Sequence, residues 1–143
     1  MTALSVNLNK LALLRNSRGR NFPNLLLFAK RFIDMGVQGI TIHPRPDERH
    51  IRRSDALELA DFLHAFGQVE FNIEGYPSET FLQLIAATRP HQCTLVPDAD
   101  AQLTSDHGWD CFEHESLLVP IIKRIKTLEE RLSSLEKQLS SKE

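Results

Sequence analysis

The stretch GITIHPRPDERHI, residues 39–51, sets His43, Arg45, Asp47, Arg49 and His50 directly after a short apolar run. Histidine changes protonation near neutral pH and can carry protons between reacting groups. Arginine presents a fork of N–H donors that matches a phosphate or carboxylate. A metal held by His43, Asp47 and His50 is an open alternative, but the arginines around them would oppose a cation and favour an anion. Further along, Glu74 closes a second apolar-polar alternation, VEFNIEG (69–75), and Asn7 and Asn9 close a third, LSVNLN (4–9). Each of these polar residues could equally be a solvated strand end. Three neighbouring segments ending in the same way favour a site.

The elements that must carry these residues alternate. The spacing predicts strands at 4–9, 39–43, 69–75 and 92–97, with helices at 24–36, 54–67 and 77–90. Gly36 is a natural helix stop. Ser54 or Asp55 is expected to cap the second helix, with Glu58 three residues after Asp55. Strands separated by helices of this length predict parallel βα units. A doubly wound sheet would read apolar on both faces. Here Leu4, Val6 and Leu8 oppose Ser5, Asn7 and Asn9. Ile40 and Ile42 oppose Thr41 and His43, and Val69, Phe71 and Ile73 oppose Glu70, Asn72 and Glu74. That pattern predicts an α/β fold made of four βα units of a TIM-type barrel, helices outside and polar groups inside. Such barrels build their sites at the C-terminal strand ends.

The chain has 143 residues with 41% hydrophobic and 25% charged content, ordinary for a globular protein. A net charge of -2 gives no support to a nucleic-acid partner. No apolar run is long enough for a membrane span and no secretory signal is apparent at the N-terminus, so a cytoplasmic location is expected. The two cysteines, Cys93 and Cys111, lack metal-like spacing and are read as reduced thiols.

The segments VNLNKLALLRNSRGRNFPN, GITIHPRPDERHIR, FNIEGYPSE and TLVPDADAQLTSDHGWD resemble the pyridoxine 5'-phosphate synthase family, over about residues 4–125. The resemblance implies a (β/α)₈ barrel of vitamin B6 biosynthesis. Its reaction condenses 1-deoxy-D-xylulose 5-phosphate with 3-amino-2-oxopropyl phosphate. By the same resemblance His43 and Glu74 match catalytic proton acceptors. Asn7 and Arg18 match positions that hold the amino-ketone phosphate. Arg45, His50 and Thr104 match positions that hold the deoxyxylulose phosphate. Asn9 and Lys10 stand where many members have Asp-His, an amide and a cation near an anionic substrate. No metal or organic cofactor is required by these residues.

A complete barrel of this type needs roughly 250 residues. The family's second half would supply another catalytic histidine, a carboxylate and glycine-rich phosphate loops, so a partial active site is expected. After LLVPIIKRIK the chain continues as TLEERLSSLEKQLSSKE. Leu118, Ile125, Leu132 and Leu139 fall at one heptad core position, and Ile121, Leu128 and Leu135 at the other. Arg124 and Arg131 then take g positions, with Glu129 and Glu136 at e. Pro120 is placed in the first helical turn, where proline is tolerated. The expected organisation is half-barrel units over 1–113 and a long helix over 114–143, coiled-coil-like from 126. The switch at Lys126 points to a truncated gene or an engineered fusion. The expected partners are phosphorylated small molecules and a second copy of the chain, as a dimer or larger assembly. A structural assembly module without turnover is the competing function.

Overall fold

The computed structural model describes residues 2–98, 102 and 105–140, apart from the side chains of residues 135, 136 and 138–140. Two compact units are present, Met1–Asp106 and His107–Glu143.

In the first unit the elements run β1 (Ser5–Asn7), α1 (Asn9–Ser17), α2 (Leu25–Asp34), β2 (Gly39–Ile42), α3 (Arg53–His64), β3 (Glu70–Gly75), α4 (Glu79–Thr88) and β4 (Gln92–Leu95). All strand pairs are parallel, and the sheet order is the chain order, β1-β2-β3-β4. A doubly wound sheet reverses its strand order at a switch point. This sheet does not, and the barrel-type arrangement read from strand polarity is what forms.

The two faces of the sheet explain that order. Ile40, Ile42, Phe71 and Ile73 are fully buried in one core with Leu25 and Ala29 of α2, Leu59 and Leu63 of α3, and Phe81 and Ile85 of α4. On the other face a chain of polar side chains crosses all four strands. Ser5 Oγ and Thr41 Oγ1 lie 2.8 Å apart, Asn72 Nδ2 lies 3.5 Å from Thr41 Oγ1, and Thr94 Oγ1 donates to Asn72 Oδ1 at 2.9 Å. Buried polar groups are tolerated because they satisfy one another.

Helix ends follow local chemistry. Asn24 accepts from the Leu27 N–H at 2.9 Å and caps α2, and Ser78 accepts from the Phe81 N–H at 3.2 Å and caps α4. Gly36 takes a φ of +88°, the left-handed turn that glycine makes without strain. At Gly75, a Cβ atom would collide with the Phe81 ring, so only glycine lets α4 close onto the end of β3.

Three expectations are corrected. The first strand does not run to Asn9: Leu8 already has a φ of −91° and ψ of −2°, and it precedes α1, a helix the periodicity did not reveal. Neither Ser54 nor Asp55 stands at the N-cap of α3, because the helix starts at Arg53. Asp55 instead lies inside the first turn, and its Oδ2 accepts from the Arg52 N–H at 2.8 Å. Pro120 falls six residues into the last helix, past the first turn, where its missing N–H removes a helical hydrogen bond.

In the second unit Asp110 Oδ1 accepts from the N–H groups of Phe112 and Glu113 at 3.0 and 3.1 Å. This turn leads into α5 (Glu115–Ser140). Trp109 and His114 pack edge to face with ring centroids 5.0 Å apart. Along α5, Ile121, Ile125, Leu128 and Leu132 are half-buried on the predicted heptad stripe. Among the described residues no helix is long and apolar enough to cross a membrane.

Candidate functional site

The site is assembled at the C-terminal ends of β1, β2, β3 and β4. Asn7 ends β1, and its Oδ1 accepts from the Asn9 N–H at 2.8 Å, closing the turn into α1. Asn9 Oδ1 accepts from the backbone N–H of His43 at 2.9 Å, tying α1 to the first residue beyond β2. An aspartate at position 9 could accept the same bond, so asparagine keeps this tether. Both amide NH₂ groups remain as donors.

His43 is buried and lies beside a buried carboxylate that motif reading had not singled out. Its Nδ1 is 3.9 Å from Asp98 Oδ2. Asp98 follows β4, and the same oxygen takes Arg45 Nη2 at 2.6 Å and the Ser105 hydroxyl. Arg45 Nη1 donates to the Gln102 carbonyl at 2.8 Å, and Arg49 Nη1 donates to it at 3.2 Å. Two of the five N–H groups of Arg45 are thus engaged by these acceptors, which leaves donors for a ligand. His50 lies with its ring centroid 6.3 Å from that of His43. Its Nδ1 accepts from the Ile51 N–H at 2.9 Å, so the neutral ring carries its proton on Nε2.

The electrostatics follow from this packing. Burial, with the Arg45 guanidinium second, lowers the pKa of His43 to about 4, against an opposing pull from Asp98. His50 is also lowered, by burial first and then by Arg45 and Arg49. Lys10, exposed on α1, is close enough to add to that effect. Both rings are therefore neutral at pH 7, and His50 is an N–H donor rather than a fixed cation. Glu74 is half-buried at the end of β3, and burial, then the Asp98 charge, raises its pKa. A cavity of about 470 Å³ opens beside these groups, with His43, Arg45, Asp98, Tyr76 and Ser78 in its wall.

The loop from His43 to Arg52 is braced from α1. Arg15 and Asp55 form a buried two-point ion pair at 2.6 and 2.7 Å. Asn16 Nδ2 donates to the carbonyls of His50 and Arg49 at 2.8 and 3.1 Å. Neither residue was legible as functional, because their partners lie more than thirty residues away in the chain.

One expected site residue, Arg18, is not brought to this cluster. Arg18 caps the C-terminus of α1 and lines a separate hollow with Leu14, Arg20, Phe22 and Pro23. Thr104 lies outside the described residues. Asp47 is turned to Arg49, with Oδ2 2.7 Å from Nε. No group of three metal-capable side chains occurs among the described residues. Burial raises the pKa of the Cys93 thiol to about 11, which makes it a poor nucleophile.

Comparison with known proteins places this geometry in a family. The family model described as "Pyridoxal phosphate biosynthesis protein PdxJ" matches residues 4–137. That match runs beyond residue 125, into the heptad segment. The chain is 52% identical over 126 residues to a pyridoxine 5'-phosphate synthase of Christiangramia forsetii, covering 88% of this chain and 52% of that protein. It is 56% identical over 110 residues to a pyridoxine 5'-phosphate synthase of Bacteroides fragilis, covering 77% and 45%. A third, from Allorhizobium ampelinum, is 49% identical over 131 residues, covering 91% and 52%. The chain spans about half the length of these relatives. A partial parallel α/β barrel, its polar groups gathered at the strand ends, and a family match across most of its length lead to one conclusion: this chain belongs to the PdxJ family.

Proposed function

We propose that the chain supplies the first half of a phosphosubstrate site of the pyridoxine 5'-phosphate synthase type. That reaction joins 1-deoxy-D-xylulose 5-phosphate to 3-amino-2-oxopropyl phosphate. The observation that carries the reading is the pairing of a buried neutral histidine, His43, with Arg45 at the mouth of one parallel strand, next to Glu74 at the mouth of the next. In this reading Arg45, with Nε2–H of His50, holds the deoxyxylulose phosphate, and Lys10 adds positive charge at the rim. Thr104 completes that set. The family resemblance assigns Asn7 and Arg18 to the amino-ketone phosphate, although Arg18 stands at a separate hollow in this chain, and Asn9 offers an amide near an anionic substrate.

Condensing an amine with a ketone and closing a ring needs repeated proton transfers. His43 and Glu74 accept them. A neutral His43 is ready to take a proton, and a phosphate dianion arriving beside Arg45 makes it more basic by offsetting the nearby positive charge. Glu74 is a stronger base than an exposed carboxylate because burial disfavours its charge. The remaining catalytic groups come from another polypeptide segment, since such barrels draw them from several strand ends. The test is to incubate the chain with both substrates and follow pyridoxine 5'-phosphate and inorganic phosphate. The chain alone is expected to bind phosphorylated ligand without turning over. Turnover by a verified monomer would overturn the division into halves.

A second reading, an assembly module, is favoured by the open sheet. Among the described residues β1 pairs only with β2 and β4 only with β3, and unpaired parallel edges invite pairing. The heptads of α5 need a partner for Leu128 and Leu132. In this reading the chain is at least a dimer, and truncation after Lys126 separates the edge contribution from the helix contribution. A monomer by sedimentation at micromolar concentration removes this reading.

A further inference from the structure

Asp98 is a buried group whose hydrogen bonding is left incomplete among the described residues. Its side chain is 2% exposed. Oδ2 receives both Arg45 and Ser105, whereas Oδ1 is buried and has no hydrogen-bond partner among the described residues. A buried carboxylate oxygen without a donor is costly and calls for an explanation. The groups that face Asp98 narrow the choice. Arg45 and Ser105 are already on Oδ2, and Glu74 of β3 is an acceptor that disfavours a second charge. Among the described residues His43 remains, and its Nδ1 lies 3.9 Å from Oδ2 of the same carboxylate.

We propose that Asp98 is the positioning residue for His43, receiving its Nδ1–H and so leaving Nε2 as the nitrogen that exchanges protons with a ligand. The proposal rests on the reading of His43 as a proton acceptor. Which imidazole nitrogen carries the proton is set by the partner of the other. A movement of about 1 Å brings Nδ1 to hydrogen-bond length from Oδ2, and a turn of the carboxylate about its Cβ–Cγ bond would offer the ring Oδ1 instead. The other charged and titratable neighbours of His43, namely Arg45 and His50 from its own loop, both disfavour the imidazolium, and Asp98 alone among these neighbours favours it. Asp98 thus serves two groups, as counter-ion to Arg45 and as acceptor for His43.

The test is ¹⁵N NMR of the histidine-labelled intact chain without ligand at neutral pH, with His43 assigned by loss of its signals in His43→Gln. The expected spectrum has a protonated Nδ1 and an unprotonated Nε2. In Asp98→Asn the Nδ1–H population falls and the His43 titration moves to lower pH, and Asp98→Glu restores part of both. A protonated Nε2 in the wild type, or a tautomer and titration unchanged in Asp98→Asn, overturns the proposal. If Asp98→Asn does not fold, the wild-type tautomer decides. Because the tautomer is read without substrate, it is independent of whether phosphorylated ligands bind or turn over.

Discussion

The loop after β2 and the connection between α1 and α2 both carry arginines, and the fold treats them in opposite ways. Arg45 is buried, with a carboxylate at 2.6 Å and a carbonyl at 2.8 Å fixing its fork. Arg18, at the end of α1, is exposed, and Phe22 beside it is 70% exposed. Ordering a long cationic side chain costs entropy, and a buried guanidinium without partners costs more. Arg45 has met both costs before any ligand arrives, through Asp98 and Gln102. Arg18 has not. The difference teaches that residues assigned to one kind of work by resemblance differ in how far this chain alone prepares them.

The largest effect is expected from the brace behind the prepared loop. Arg15→Ala leaves Asp55 as a buried charge without its partner and should cost ~3–5 kcal/mol. Urea unfolding monitored by circular dichroism measures this. Arg15→Met with Asp55→Leu should recover most of it, because the pair's desolvation cost disappears with the charges.

Next comes pH. In the folded state His43 titrates near 4, and in the unfolded chain near 6.5. Between those values the unfolded state binds the extra proton, so stability rises with pH and is lost as pH falls from 6.5 toward 4. The loss from this group is at most about 3 kcal/mol. His50 acts in the same direction. Glu74 acts in the other: its raised pKa adds stability at low pH that is lost as pH climbs through its folded value. Comparing the unfolding free energy of wild type and His43→Gln from pH 7 down to 4 isolates the histidine. Parallel curves would contradict the burial argument.

The smallest effect belongs to the unprepared region. Arg18→Ala should change stability by no more than about 0.5 kcal/mol, as for other surface substitutions without a special partner. A larger loss by urea unfolding would show that Arg18 is tied into the fold.

How far the sequence carried the reading depends on the range of each interaction. β2, β3 and β4 were legible because their side chains alternate over four to six residues. So were α2, α3 and α4, whose apolar residues recur at helical spacing over ten to twelve residues. His43, Arg45 and His50 were legible as a cluster because they share one loop. α1 was hidden because Leu8 continues the two-residue alternation of β1 while already turning into the helix. The Arg15–Asp55 pair spans 40 residues and leaves no local pattern. Asp55 looked like a cap because acidic residues at a helix start usually are; its carboxylate is instead shared between Arg15 and the Arg52 N–H. Asp98 sits in a polar loop where nothing nearby in the chain distinguishes it from Asp100 or Asp106. Only the return of β4 beside β3 brings it against β2's loop.

The most direct test of the account is calorimetric titration of the chain with 1-deoxy-D-xylulose 5-phosphate and, separately, with unphosphorylated 1-deoxy-D-xylulose. Wild type is compared with folded Arg45→Ala and Arg18→Ala variants. The account predicts that binding depends on the phosphate and weakens about tenfold or more in Arg45→Ala, a loss of about 1.4 kcal/mol or greater. Arg18→Ala should leave binding of this ligand nearly unchanged. Equal affinity for the two sugars, or for wild type and Arg45→Ala, would contradict the claim that the mouth of β2 is a phosphate site.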